Sequence, residues 1–121
     1  MQALLVEDEV LVAMIAEEAL SALGFRSRSV ATAADALRAF ADHAPQLAVI
    51  DVGLPDARGD ELARRLRVLS PELPIVMASG YDAEELRADF VDDPWVRVVA
   101  KPYTESDLAD ATRALGLTSA D

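Results

Sequence analysis

The chain has 121 residues, of which 52% are hydrophobic, and a mean hydropathy of +0.17, enough apolar surface for one compact core spanning residues 1–121. Zero cysteines exclude disulfides, thiolate zinc sites and cysteine nucleophiles, and a net charge of −11 leaves no basic stripe, so direct nucleic-acid binding is not expected. No apolar run approaches the ~20 residues of a membrane span and no basic segment precedes an apolar core at the N-terminus, so a cytoplasmic protein with no membrane partner is expected.

Ala3 to Val6 is a short, continuous apolar run and reads as a buried parallel strand. Val12, Ala16, Ala19 and Leu23 then recur at helical spacing, closed by Gly24 at a C-terminal position. Phe25 to Val30 is a weaker strand whose Arg26 and Arg28 suit a sheet edge. Thr32, with Asp35 three places on, has the form of a helix start, and Leu37, Phe40, Ala41 and Ala44 form the stripe that follows. Leu47 to Ile50 is the third strand, followed by a helix carrying Leu62, Leu66 and Leu69. Ile75 to Ala78 is the fourth, followed by a short helix with Leu86 and Phe90 and a start at Asp82 with Glu85. Val96 to Ala100 is the fifth, and Thr104 with Asp107 opens a last helix carrying Leu108, Ala111 and Leu115. Five such units joined by right-handed crossovers predict an α/β fold: a five-stranded parallel sheet with helices on both faces. Ligand sites in such sheets gather at the carboxyl ends of the strands, where strand order reverses.

Polar residues fall at that edge. Glu7 and Asp8 follow the first strand, Asp51 the third, Ser79 the fourth, and Lys101 with Pro102 the fifth. Carboxylates ~4 Å apart repel by about 4 kcal/mol per pair at an effective dielectric of 20, so three of them need a cation. Oxygen ligands without His or Cys favour Mg²⁺ over zinc. His43, before Pro45, reads as a surface loop residue, which makes the chain a poor histidine-bearing donor, and Trp95 reads as a cover for the core.

These residues resemble the receiver domains of two-component response regulators. The resemblance spans the chain and rests on Val6-Glu7-Asp8-Glu9, Ile50-Asp51-Val52-Gly53-Leu54-Pro55, Ser79-Gly80 and Lys101-Pro102-Tyr103, with separations of 43, 28 and 22 residues from Asp8 to Asp51, Ser79 and Lys101 in turn. It implies a flavodoxin-like (βα)5 doubly wound sheet of strand order 2-1-3-4-5. It implies that Asp51 accepts a phosphoryl group from phosphohistidine on a histidine kinase or histidine phosphotransfer protein, as a phosphoacceptor switch and not an enzyme. Asp8, Asp51 and the Gly53 backbone carbonyl would hold Mg²⁺, with Glu7 reaching it directly or through water. Ser79 and Lys101 would each contact a phosphoryl oxygen, the latter aided by a cis peptide before Pro102. Helix one, with Val10, Leu11 and Met14, would help dock the donor. Output would be protein binding through helices four and five and strand five, and a phosphorylation-dependent dimer is a further expectation.

The chain also departs from the family. Val98 stands three residues before the lysine, where many receivers carry a switching aromatic. Ser79-Gly80-Tyr81 resembles the Thr-Gly-Tyr of some standalone receivers, and Tyr81 is expected to shield the acyl phosphate or couple it to the fourth helix. Gly53 cannot orient a water with its side chain, which points to slow self-dephosphorylation. Met1 and a complete fifth helix suit a standalone regulator more than a receiver cut from a hybrid kinase. Three other readings compete. A haloacid-dehalogenase-type phosphatase wants a second Asp where Gly53 stands, a flavin module would meet phosphate-repelling acids at Glu7, Asp8 and Glu9, and a receiver-like interaction module would never be phosphorylated.

Overall fold

In the computed structural model, residues 1–80 and 82–117 are described. Strands and helices alternate throughout: β1 (Gln2–Val6), α1 (Val10–Ala22), β2 (Arg26–Val30), α2 (Ala33–Asp42), β3 (Leu47–Asp51), α3 (Gly59–Leu69), β4 (Ile75–Ser79), α4 (Ala83–Asp89), β5 (Val96–Ala100) and α5 (Glu105–Ala114). The strands form one parallel sheet in the order β2-β1-β3-β4-β5, the flavodoxin-like arrangement expected. Order reverses between β1 and β3, which opens the crevice at their carboxyl ends.

Alternation along each strand divides the core in two. Leu4, Val6, Ala48, Ile50 and Met77 pack beneath α2, α3 and Leu86 of α4, while Ala3, Leu5, Leu47, Val49 and Val76 pack beneath α1 and α5. The central strands β3 and β4 are buried at every residue, which is why they are apolar runs without polar alternation up to their last residues, Asp51 and Ser79. At the edge, β2 exposes Arg26 and Arg28 to solvent.

Several local expectations are corrected. β3 and β4 run one residue further than their apolar runs, because Asp51 and Ser79 remain in register with Ala78 and Ala100. On α2 the buried stripe is Ala33, Ala36 and Ala39; Leu37 and Phe40 flank it, and Ala41 and Ala44 are exposed. Three small residues let this helix lie close to the sheet, and the extended backbone of His43 ends it before Ala44. Leu69, the last residue of α3, is exposed, and Leu73 in the following loop fills the core instead. Thr32 and Thr104 accept hydrogen bonds from the amides of Asp35 and Asp107, the latter within a full capping box. Asp82 precedes α4 but makes no side-chain cap bond; its carboxylate is engaged elsewhere.

Candidate functional site

Glu7, Asp8 and Asp51 converge at the crevice between β1 and β3, with one carboxylate oxygen of each lying within 4.8 Å of the others. Asp8 is exposed, whereas Glu7 and Asp51 are only 6% and 7% accessible. Asp51 is lodged this way because it is the last ladder residue of β3, flanked by the buried Ile50 and Val52. The chain carries a single lysine, and it is here: Lys101 Nζ donates to Asp51 Oδ1 at 3.0 Å and to Glu7 Oε1 at 3.3 Å. Its backbone N–H donates to the Ser79 carbonyl at 2.8 Å, and the Lys101–Pro102 peptide is cis.

One ammonium faces three carboxylates, and the imbalance marks the groups. Burial, then the charge of Asp51, pushes the Glu7 carboxyl up to about 7, against the opposing pull of Lys101. Burial alone would lower the pKa of Lys101, but its hydrogen bond to Asp51 and the charges of Asp51 and Glu7 outweigh that and raise it. Tyr103 is pushed up to about 12, chiefly by burial. Glu7 Oε2 is buried and has no hydrogen-bond partner among the described residues. A buried, unpartnered carboxylate oxygen beside two more carboxylates is the donor set a hard cation satisfies.

Around this centre the loops are tied to one another. The β3–α3 loop doubles back, bridging Gly53 to Arg58. Gly59 then donates its amide to the Val52 carbonyl at 2.8 Å. A Cβ on Gly59 would lie 2.3 Å from the Asp51 carbonyl oxygen, so only glycine fits. A Cβ on Gly53 would stand an ordinary 3.7 Å from Asp51 Oδ2. Asp56, in the same loop, accepts from the amides of Ala33 and Ala34 at 2.8 and 3.0 Å, which ties the loop to the start of α2 and lowers the Asp56 pKa.

Ser79 is buried at the end of β4, and its Oγ donates to Asp82 Oδ1. Arg58 donates from Nη2 to Asp82 Oδ2 and from Nε to Asp60 Oδ1, both at 3.0 Å. Val98 is half-buried against the core, with its carbonyl accepting from Arg87 at 3.2 Å. Tyr81 lies outside the described residues. His43 is exposed and Trp95 half-buried. The structure thus gathers Glu7, Asp8, Asp51 and Lys101, sets Gly53 beside them, and turns Ser79 toward Asp82. Arg58, Gly59 and Asp60 were not singled out by the sequence; Gly59 follows an Asp-Ala-Arg loop whose doubling back no local pattern announces.

Comparison with known proteins agrees with this fold. The probable transcriptional regulatory protein TcrX of Mycobacterium tuberculosis is 30% identical over 122 residues, covering 98% of this chain and 52% of that protein. The sensor kinase CckA of Brucella abortus is 27% identical over 114 residues, covering 93% of this chain and 12% of the kinase. The chain therefore spans about half the length of TcrX and a smaller part of CckA. The crystal structure of the receiver domain of NtrX from Brucella abortus superposes with a TM-score of 0.82 at 30% identity, covering 96% of this chain and 99% of that one. No helix among the described residues is long and apolar enough to cross a membrane. The family profile described as "Response regulator receiver domain" matches residues 3–113, and the chain belongs to that family.

Proposed function

We propose that the chain is a phosphoacceptor in a histidine-to-aspartate relay, with Asp51 as the residue that carries the phosphoryl group. The observation that carries this reading is the pairing of the buried Asp51 carboxylate with the chain's one lysine, beside two further acids and the unpartnered Glu7 Oε2. Membership of the receiver family supports the donor: phosphohistidine on a histidine kinase or phosphotransfer protein. An Asp51 carboxylate oxygen attacks phosphorus, the N–P bond breaks, the imidazole leaves with the electron pair, and an acyl phosphate remains. Lys101 offsets the negative charge on the phosphoryl oxygens, and Ser79 donates its hydroxyl to one of them.

Asp8, Asp51 and the Gly53 carbonyl would hold Mg²⁺, with Glu7 next to it, and the bound ion would supply the positive charge that Lys101 alone cannot. Gly53 offers no side chain to position a hydrolytic water, which supports a long-lived acyl phosphate. The exposed Val10, Leu11 and Met14 of α1 form the donor-docking face, extended by Ile15. Output is protein binding through α4, β5 and α5, in the cytoplasm and without turnover of a substrate.

Incubating the chain with a small phosphoryl donor and Mg²⁺, and weighing it intact, tests the reading. Wild type should gain one phosphoryl group and Asp51→Asn none. Failure of wild type with both the small donor and a phosphohistidine protein would refute it.

A further inference from the structure

We infer that Asp82, braced by Arg58, is a positioning residue that holds the Ser79 hydroxyl in a resting arrangement and must release it before Ser79 can engage a phosphoryl group on Asp51. The inference rests on the proposed role of Asp51 and deepens it. A serine hydroxyl carries one hydrogen. Here that hydrogen is donated to Asp82 Oδ1. It cannot be given at the same time to a phosphoryl oxygen, so the two interactions exclude each other.

The acceptor is held in place. Arg58 reaches across from the start of α3 with one guanidinium nitrogen on Asp82 and another on Asp60, each at 3.0 Å. Asp60 is buried and also pairs with Arg64 at 3.4 Å. Asp82 is thereby kept ionised, its pKa lowered first by the Ser79 hydrogen bond and then by that of Arg58. Arg58 is bridged through its backbone to Gly53, two residues beyond Asp51. The brace therefore joins the loop that follows the phosphoacceptor to the loop that follows the serine.

Release has a second consequence. Asp82 stands at the N-cap position of α4 and makes no cap bond while it accepts from Ser79. Once Ser79 turns to the phosphoryl group, the carboxylate is free to accept from the first amides of α4. A signal can then pass from Asp51 to α4 through Ser79 and Asp82, with no aromatic needed at Val98.

The test follows phosphoryl uptake by the whole chain from acetyl phosphate with Mg²⁺, using intact mass against time. Asp82→Ala should raise the rate about ten- to a hundredfold, as expected when one charge-assisted hydrogen bond no longer holds the ground state. Arg58→Ala keeps the acceptor but loses the brace, and Asp82→Asn keeps an acceptor without the ion pair; both should give smaller gains. In a Ser79→Ala background, Asp82→Ala should change nothing. Wild-type rates in both Asp82→Ala and Arg58→Ala, or a gain that survives Ser79→Ala, would overturn the latch while leaving Asp51 as acceptor. A wild type that takes up no phosphoryl group from acetyl phosphate or from a phosphohistidine protein removes the latch together with the acceptor role.

Discussion

Gly59 shows how a residue with no functional atom can shape this site. Its Cα lies so near the backbone of Asp51 and Val52 that an added Cβ would meet three backbone atoms at 2.3 to 2.9 Å, and backbone cannot give way as a side-chain tip can. Gly59→Ala should therefore cost about 1–3 kcal/mol, read from the urea midpoint, and should slow phosphoryl uptake by pushing Asp51 out of line; a midpoint equal to wild type would refute the close approach. Lys101 is the opposite case, a residue whose value lies in one charged atom. Lys101→Ala should reduce the rate of uptake about a hundredfold, the usual cost of removing one donor from a developing negative charge, while the circular dichroism spectrum stays unchanged. An uptake rate within a factor of two of wild type would show that Lys101 does not contact the reacting group. The difference in legibility between the two residues is physical. Lys101, Asp51 and Glu7 each follow an apolar run directly, and a polar residue that ends a buried strand has few places to go but the sheet edge. Gly59 and the Arg58–Asp82 pair depend on how two loops fold across one another, and no periodicity encodes that.

At the scale of elements, the central strands were legible because strands buried on both faces read as near-continuous apolar runs, and β3 and β4 are of this kind up to their last residues, Asp51 and Ser79. Helix faces were less so. On α2 the expected stripe of Leu37, Phe40, Ala41 and Ala44 is rotated: alanines at 33, 36 and 39 face the sheet, Leu37 and Phe40 flank them, and Ala41 and Ala44 are exposed. The capping pattern at Asp82 does mark the start of α4, but its side chain makes no cap bond, because a carboxylate beside a buried serine and an arginine has better partners than the amides of a short helix. The α2 terminus also receives a cap from a distant loop, through Asp56. Since hydrogen bonds from Ala33 and Ala34 lower the Asp56 pKa, its contribution to stability is present above the unfolded carboxylate pKa of about 3.9. That contribution is lost as pH falls through the lower folded value. Asp56→Ala should accordingly be less stable than wild type at pH 7, with the gap narrowing as the pH is taken below 4. Equal gaps in urea unfolding at pH 7 and at pH 3 would contradict this.

For the molecule as a whole, the balance of charge sets the response to magnesium. The chain has a net charge of −11, and at the crevice one ammonium opposes three carboxylates within 4.8 Å of one another. The fold therefore holds repulsion in reserve at the place where a divalent cation would relieve it, and the Glu7 pKa, raised first by burial, is raised further by the charge of Asp51. A ligand that binds only the folded state stabilises it by about 2.7 kcal/mol at a hundredfold excess over its dissociation constant. Mg²⁺ should accordingly raise the melting temperature of wild type by several degrees beyond NaCl of equal ionic strength, which screens charge without filling a site. Asp8→Asn separates the two effects. Removing one carboxylate relieves repulsion in the metal-free protein, so without Mg²⁺ this variant should melt above wild type. It also removes a ligand, so with saturating Mg²⁺ wild type should melt above the variant. Such a crossing of the two melting curves cannot arise from general screening, which would move both proteins in parallel. Parallel shifts in Mg²⁺ would mean that the acidic cluster is a surface cluster of charge and not a cation site.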